Sequence, residues 1–136
     1  MRFLVDANVL SEQTRPRPTQ KVIDWLFRND ALVVLNPVVL GELEFGILSL
    51  PAGRKRDALL RWFADNVGLL PVLPIDAGTA HAWSRLVASL RQKGLAMPVK
   101  DSLIAANAIQ HGLTVATRNV ADYKVAGVKL INPFDD

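Results

Sequence analysis

Four short, almost uninterrupted apolar runs constrain any fold of this chain: Phe3-Leu4-Val5, Leu32-Val33-Val34-Leu35, Thr114-Val115-Ala116 and Val128-Lys129-Leu130-Ile131. A strand with one wet face alternates apolar with polar side chains, so runs without alternation belong to strands covered on both faces, as in a parallel sheet between helical layers. A weaker run spans Leu70 to Ile75. Its Pro71 and Pro74 have no amide hydrogen to give to a ladder, which assigns it to a sheet edge.

The segments between the runs have helical period. Val22, Ile23, Leu26 and Phe27 share one face after Thr19, and Asn36 before Pro37 has the form of an N-cap followed by a first helical residue. Leu59, Leu60, Phe63 and Val67 outline a third helix ending at Gly68. Asp76 is placed to cap a fourth, in which Ala80, Trp83, Val87 and Leu90 recur until Gly94. A fifth runs from near Pro98 to His111, with Gly112 as its stop. Strands alternating with helices predict an α/β fold with a mostly parallel sheet and right-handed crossovers, in a single domain over residues 1–136. Ligands of such sheets bind beyond the carboxyl ends of the strands. The polar tips Asp6-Ala7-Asn8 and Thr117-Arg118-Asn119 therefore face one crevice if their strands are neighbours.

Composition narrows the chemistry. The absence of cysteine excludes disulfides, thiolate nucleophiles and cysteine zinc sites, and agrees with a reducing cytosol. Asp6 breaks the apolar start before a secretory core could form, and Glu42 and Glu44 interrupt the most apolar long stretch. The expectation is a soluble, cytoplasmic protein without a membrane span. A net charge of +3 and a pI near 9.6 suit a polyanionic partner. The basic clusters Arg15/Arg17/Lys21, Arg54/Lys55/Arg56 and Arg85/Arg91/Lys93, each taken alone, read as solvated helix ends or faces. No phosphate loop, dinucleotide fingerprint, nucleophile elbow or His-Glu-x-x-His motif is present.

Carboxylates carry what chemistry remains. Asp6 is the first polar side chain after the first run, and it also fits an Asx turn or a helix cap. Glu42 and Glu44 are the charges of an otherwise apolar helix and point about 200° apart, so they cannot share a face, and spacing does not choose between them. Asp101 opens the fifth helix on the side of Ile104, Ala105 and Ala108, where a helix-dipole role is the plainer reading. Carboxylates from three elements suit a hard, oxygen-loving cation rather than zinc. His81 and His111 read as structural, the latter at a helix C-terminus that favours an imidazolium.

Taken in order, Asp6-Ala7-Asn8-Val9-Leu10-Ser11-Glu12, Leu40-Gly41-Glu42-Leu43-Glu44-Phe45-Gly46, Asp101-Ser102-Leu103-Ile104-Ala105-Ala106 and Thr117-Arg118-Asn119-Val120-Ala121-Asp122-Tyr123 resemble the motifs of PIN domains. More narrowly, they are similar to the VapC/FitB-type toxins of bacterial toxin–antitoxin modules. The resemblance extends from Met1 to Asn132-Pro133-Phe134. It implies a three-layer α/β/α fold with a five-stranded parallel sheet ordered 3-2-1-4-5, and a homodimer. It also implies a Mg²⁺ or Mn²⁺ site formed by Asp6, Glu42, Asp101 and Asn119, which selects Glu42 over Glu44. Two departures stand out. Ala7 replaces a usual Thr, and Asn119 replaces the Asp of many members, which makes Asp122 an alternative fourth ligand.

The implied activity is that of a toxin endoribonuclease, hydrolysing RNA phosphodiesters with a metal-activated water while Arg118, Lys100 and the basic clusters hold phosphates. The implied partner is a VapB-like antitoxin whose C-terminal segment covers the groove. Two other readings stay open. One is a metal-independent ribonuclease with His81 and His111 as acid and base. The other is a PIN-like RNA- or protein-binding module without catalysis, motivated by Ala7 and Asn119.

Overall fold

In a computed structural model of the chain, which describes residues 1–135, the apolar runs assemble into one parallel sheet. Strands β1 (Phe3–Val5), β2 (Val33–Val34), β3 (Thr114–Ala116) and β4 (Leu130–Ile131) lie in the order β2-β1-β3-β4. β1 is central, with Leu4 opposite Val34 on one side and Val115 on the other. All three β1 side chains are buried, as the lack of alternation requires.

The five-stranded sheet expected from the resemblance is not formed. Of the run Leu70–Ile75, only Val72 pairs, as an isolated parallel bridge to Leu35 beyond β2. Pro71 accepts from the Leu35 amide at 3.1 Å and the Leu73 amide donates to Leu35 at 2.7 Å, but Pro71 and Pro74 have no N–H with which to extend the ladder. The run keeps its predicted edge position and loses its strand character.

Seven α-helices cover the described sheet: α1 (Ala7–Ser11), α2 (Gln20–Arg28), α3 (Pro37–Leu48), α4 (Arg54–Asp65), α5 (Ala77–Gln92), α6 (Val99–His111) and α7 (Val120–Tyr123). The predicted starts hold after Thr19 and near Pro98 without a side-chain cap, and at two others a side chain satisfies the free amides of the first turn. Asn36 accepts from the Val39 amide at 3.0 Å, and Asp76 forms a capping box with Thr79. Gly112 ends α6 at φ 66°, a left-handed conformation that other residues adopt at a cost. α4 stops at Asp65, short of Gly68, because Val67–Leu69 tightens into a 3₁₀ turn. α1 and α7 are too short to leave a periodic trace.

Phe27 departs from its expected place. It is 85% exposed, while Trp25 turns inward and meets Phe3 edge-to-face at 4.9 Å. The core includes Leu4, Val5, Leu35, Val39, Ile104 and Val115, and the buried Ala105 and Ala108 give α6 a flat face that approaches the sheet closely. Among the described residues, no helix is long and apolar enough to cross a membrane.

Candidate active site

The carboxyl ends of β1 and β3 are adjacent, so the two polar tips meet as their spacing predicted. Asp6 is pinned there by its own amide, which donates to the Ala116 carbonyl at 2.9 Å. It both caps a helix and faces the crevice. Its Oδ1 accepts from the Ala7 amide at 2.8 Å at the start of α1, while its Oδ2 accepts from Thr117 Oγ1 at 2.8 Å and from Asn8 Nδ2 and Tyr123 Oη at 3.3 Å. Four donors offset the cost of enclosing a carboxylate that is only 5% exposed.

Two of these donors lay beyond the sequence reading. Thr117 is fully buried at the end of β3 and places a hydroxyl on Asp6 from the neighbouring strand, although Ala7 offers none. Thr117 Oγ1 also accepts from the Asn119 amide at 3.0 Å. Tyr123, in α7, is fully buried, and its hydroxyl lies 3.3 Å from Asp6 Oδ2 and 3.4 Å from Asp101 Oδ1. Burial first, then the charges of Asp6 and Asp101, push the phenol far above its ordinary value and keep it a donor.

Glu42 reaches the same crevice from α3, and Glu44 is exposed. The Glu42 side chain is half-buried, with Oε2 4.0 Å from Lys100 Nζ and with Oε1 enclosed and lacking any hydrogen-bond partner. Burial raises its carboxyl above the usual range; Asp6 and Asp101 add to that, and Lys100 opposes it. Asp101, in the first turn of α6, is raised in the same way by burial, then by Asp6 and Asp122, against the hydrogen bond from Tyr123 and the charge of Lys100. Asp6, Glu42 and Asp101 thus share one electrostatic neighbourhood. Asn119 is exposed at the rim and engaged through its backbone amide, whereas the exposed Asp122 adds its charge to that felt by Asp101.

A cavity of about 270 Å³ opens beside Glu42, with Ala7, Asn8 and Ser11 on one wall and Leu43, Ile47 and Trp62 on the other. A larger one, about 470 Å³, lies away from the carboxylates, between α2 and Leu69-Leu70. Neither histidine enters the crevice. Both are exposed, and His111 follows Asp101 by ten residues along α6, about 15 Å of helix.

Among the described residues, no three acidic or histidine side chains close into a ready ligand shell. The donor set nevertheless fits a hard divalent cation. It is all oxygen, it contains an orphaned buried Glu42 oxygen, and two of its carboxyls are raised partly by mutual repulsion that a cation would relieve.

These features define a class, an α/β protein with an oxygen-lined acidic site at the carboxyl edge of a parallel sheet. The chain belongs to the PIN-domain family, whose model matches residues 3–128. It is 36% identical to the plasmid stability protein StbB of Pseudomonas syringae pv. tomato, over 98% of this chain and 99% of the relative. It is 33% identical to toxin FitB of Neisseria gonorrhoeae, over 98% and 99%, and 32% identical to VapC ribonuclease Y4jK of Sinorhizobium fredii, over 98% of each. The crystal structure of FitAcB from Neisseria gonorrhoeae superposes with a TM-score of 0.89 at 33% identity, covering 98% of this chain and 99% of that one.

Proposed function

We propose that this chain is the toxin of a type II toxin–antitoxin module, a Mg²⁺- or Mn²⁺-dependent endoribonuclease held in check by a VapB-like antitoxin. Relatives named as a toxin and as a VapC ribonuclease support the activity class. The observation that carries the metal site is Glu42 Oε1, a buried oxygen without a partner beside two further carboxylates. An enclosed carboxylate oxygen without a partner is costly, and a cation is the partner that suits all three acids at once.

Asp6, Glu42 and Asp101 are the residues to hold the ion, with Asn119 or Asp122 as a further oxygen donor. A divalent ion held there would supply water activation and charge neutralisation for phosphodiester hydrolysis. The chain's own groups orient the parts. Thr117, Asn8 and Tyr123 fix the Asp6 carboxylate by three side-chain hydrogen bonds. Lys100 places a cation beside Glu42 where a phosphate can approach, and Arg118 stands over the Phe134 ring at 4.7 Å, braced at the rim for a second phosphate.

The apolar wall of the crevice, with Leu43, Ile47 and Trp62, suits an apolar segment of the antitoxin. The outer face of α3, where Phe45 is 72% exposed and Leu48 46%, suits a second copy of the chain.

The test is RNA cleavage by purified protein with Mn²⁺, with chelator, and with Asp6→Asn. Cleavage that requires Mn²⁺, leaves 5′-phosphate ends and is lost in Asp6→Asn is expected. Chelator-resistant cleavage with 2′,3′-cyclic phosphate ends would return the chemistry to histidine, and binding without cleavage by the folded protein would leave only a recognition module.

A further inference from the structure

Resting on that reading of the acidic site, we infer that the buried Asn36–Asn107 amide pair is its positioning element, setting the register of the two helices that carry Glu42 and Asp101. Both asparagines are fully buried, and Asn36 Nδ2 donates to Asn107 Oδ1 at 3.0 Å across α3 and α6. Asn36 Oδ1 is already committed to the Val39 amide, so its side-chain amide has one orientation.

Spacing turns this bond into a ruler. Glu42 follows Asn36 by six residues, and Asp101 precedes Asn107 by six. At one end of the helix pair the two amides meet, and at the other Lys100, next to Asp101, lies 4.0 Å from Glu42. α3 and α6 therefore run antiparallel here, and equal rises of about 9 Å along each bring the two carboxylates to the same height along the helix pair, while the accompanying turn of about 240° means that the bond sets height and not a shared face. A shift of one residue in either helix would turn its carboxylate by about 100° away from its counterpart.

The pair is also anchored to a third helix. Asn107 Nδ2 faces Gln110 Oε1 at 3.3 Å and Thr79 Oγ1 and the Pro74 carbonyl at 3.4 Å. Gln110 continues the network, with its Nε2 donating to Asp76 Oδ1 at 2.8 Å and its Oε1 accepting from Thr79 Oγ1 at 2.6 Å. The space for Gln110 exists because residue 78 is glycine, since a Cβ there would lie 2.5 Å from Nε2. The capping box of α5 thus fixes Asn107, Asn107 fixes Asn36, and Asn36 fixes the start of α3. The burial of two amides in a core, which an apolar pair would fill at lower risk, is accounted for by the direction these bonds impose.

The absence of native cysteine permits a direct reading of register. In a Glu42→Cys/Asp101→Cys background, a short thiol–thiol cross-linker reports how often the two positions come level, with no metal involved. Asn36→Ser keeps an N-cap oxygen for Val39 but cannot span to Asn107, and Asn107→Ser breaks the same bond from the other helix. Val22→Ala, a core truncation in α2, controls for loss of stability alone.

Slower cross-linking in Asn36→Ser and in Asn107→Ser, no further loss in the double variant, and the parent rate in Val22→Ala are expected, because residues acting through one shared bond are not additive. Parent-like cross-linking in the folded serine variants, or slowing equal to that in Val22→Ala, would overturn the proposal. In the cysteine-free chain, Mn²⁺ binding followed by calorimetry should weaken roughly tenfold on Asn36→Ser. A parent that binds no Mn²⁺ overturns the metal reading instead, and the cross-linking result still decides the register.

Discussion

The Tyr123 hydroxyl has one hydrogen and two carboxylates to serve, Asp6 at 3.3 Å and Asp101 at 3.4 Å. Like Thr117, it is a residue of the site that spacing could not reveal, because its role depends on α7 folding back over the crevice rather than on any local pattern. Asp6, Glu42 and Asp101 were legible only as candidates, each with a plainer reading, and the structure shows why both readings of Asp6 apply: one oxygen caps α1 and the other faces inward. Tyr123→Phe removes the hydroxyl and keeps the ring. The fold is expected to survive with a loss of about 1.5–3 kcal/mol in denaturant melts, the range for a hydrogen bond to a charged group. Because that bond holds the Asp101 carboxyl down, its removal should raise the Asp101 pKa further, which ¹³C-detected titration reads directly. A value that does not rise would show that the hydroxyl serves Asp6 alone.

The connections between elements hold a second buried carboxylate, Glu12, whose carboxyl is lowered where those of Glu42 and Asp101 are raised. Glu12, 4% exposed after α1, accepts from the Thr19 amide at 2.8 Å through Oε2 and forms an ion pair with Arg15, Nε lying 3.1 Å from Oε1, tying the entry of α2 to the exit of α1. The Thr19 amide is the main cause of a carboxyl held below its ordinary 4.5, with Arg15 and Arg118 assisting against burial. A lowered carboxyl binds its proton more tightly in the unfolded chain, so its stabilisation is present above that value and lost as the pH falls through the folded one. Glu12→Gln is expected to cost about 1–3 kcal/mol at neutral pH and to flatten the acid limb of a Tm-against-pH curve. An unchanged acid limb would place the acid sensitivity elsewhere. Element by element, legibility followed hydrogen-bonding capacity. A side-chain cap or a stop glycine marked several helix ends, as at Asn36, Asp76 and Gly112, while α2 was readable from its period alone. The run around Val72 was readable in its edge position but not in its extent, since two prolines decide how little of it can pair, and Phe27 was not, since Trp25 competes for the same interior.

At the scale of the whole molecule, the acidic site opposes the fold that carries it. Glu42 and Asp101 have carboxyls raised above their ordinary values, which means that the native state holds their protons more tightly than the unfolded chain does. Their contribution is fully present below those ordinary values and is lost as the pH rises through the raised ones, whereas that of Glu12 is lost in the acid direction. The metal-free protein should therefore be most stable in weak acid and lose Tm towards neutral pH. Glu42→Gln removes the charge at the orphaned oxygen, so the metal-free variant should melt higher than the parent at neutral pH, with a flatter limb between weak acid and neutrality. Mn²⁺ should reverse the ranking, because an ion that binds only the native state adds stability with concentration, and the variant has lost one of its holders. Paired thermal melts at neutral pH, with chelator and with Mn²⁺, decide the matter. If Glu42→Gln melts lower than the parent in chelator, Lys100 alone satisfies Glu42, and the buried carboxylate is a stabilising ion pair rather than a group held in readiness for a cation.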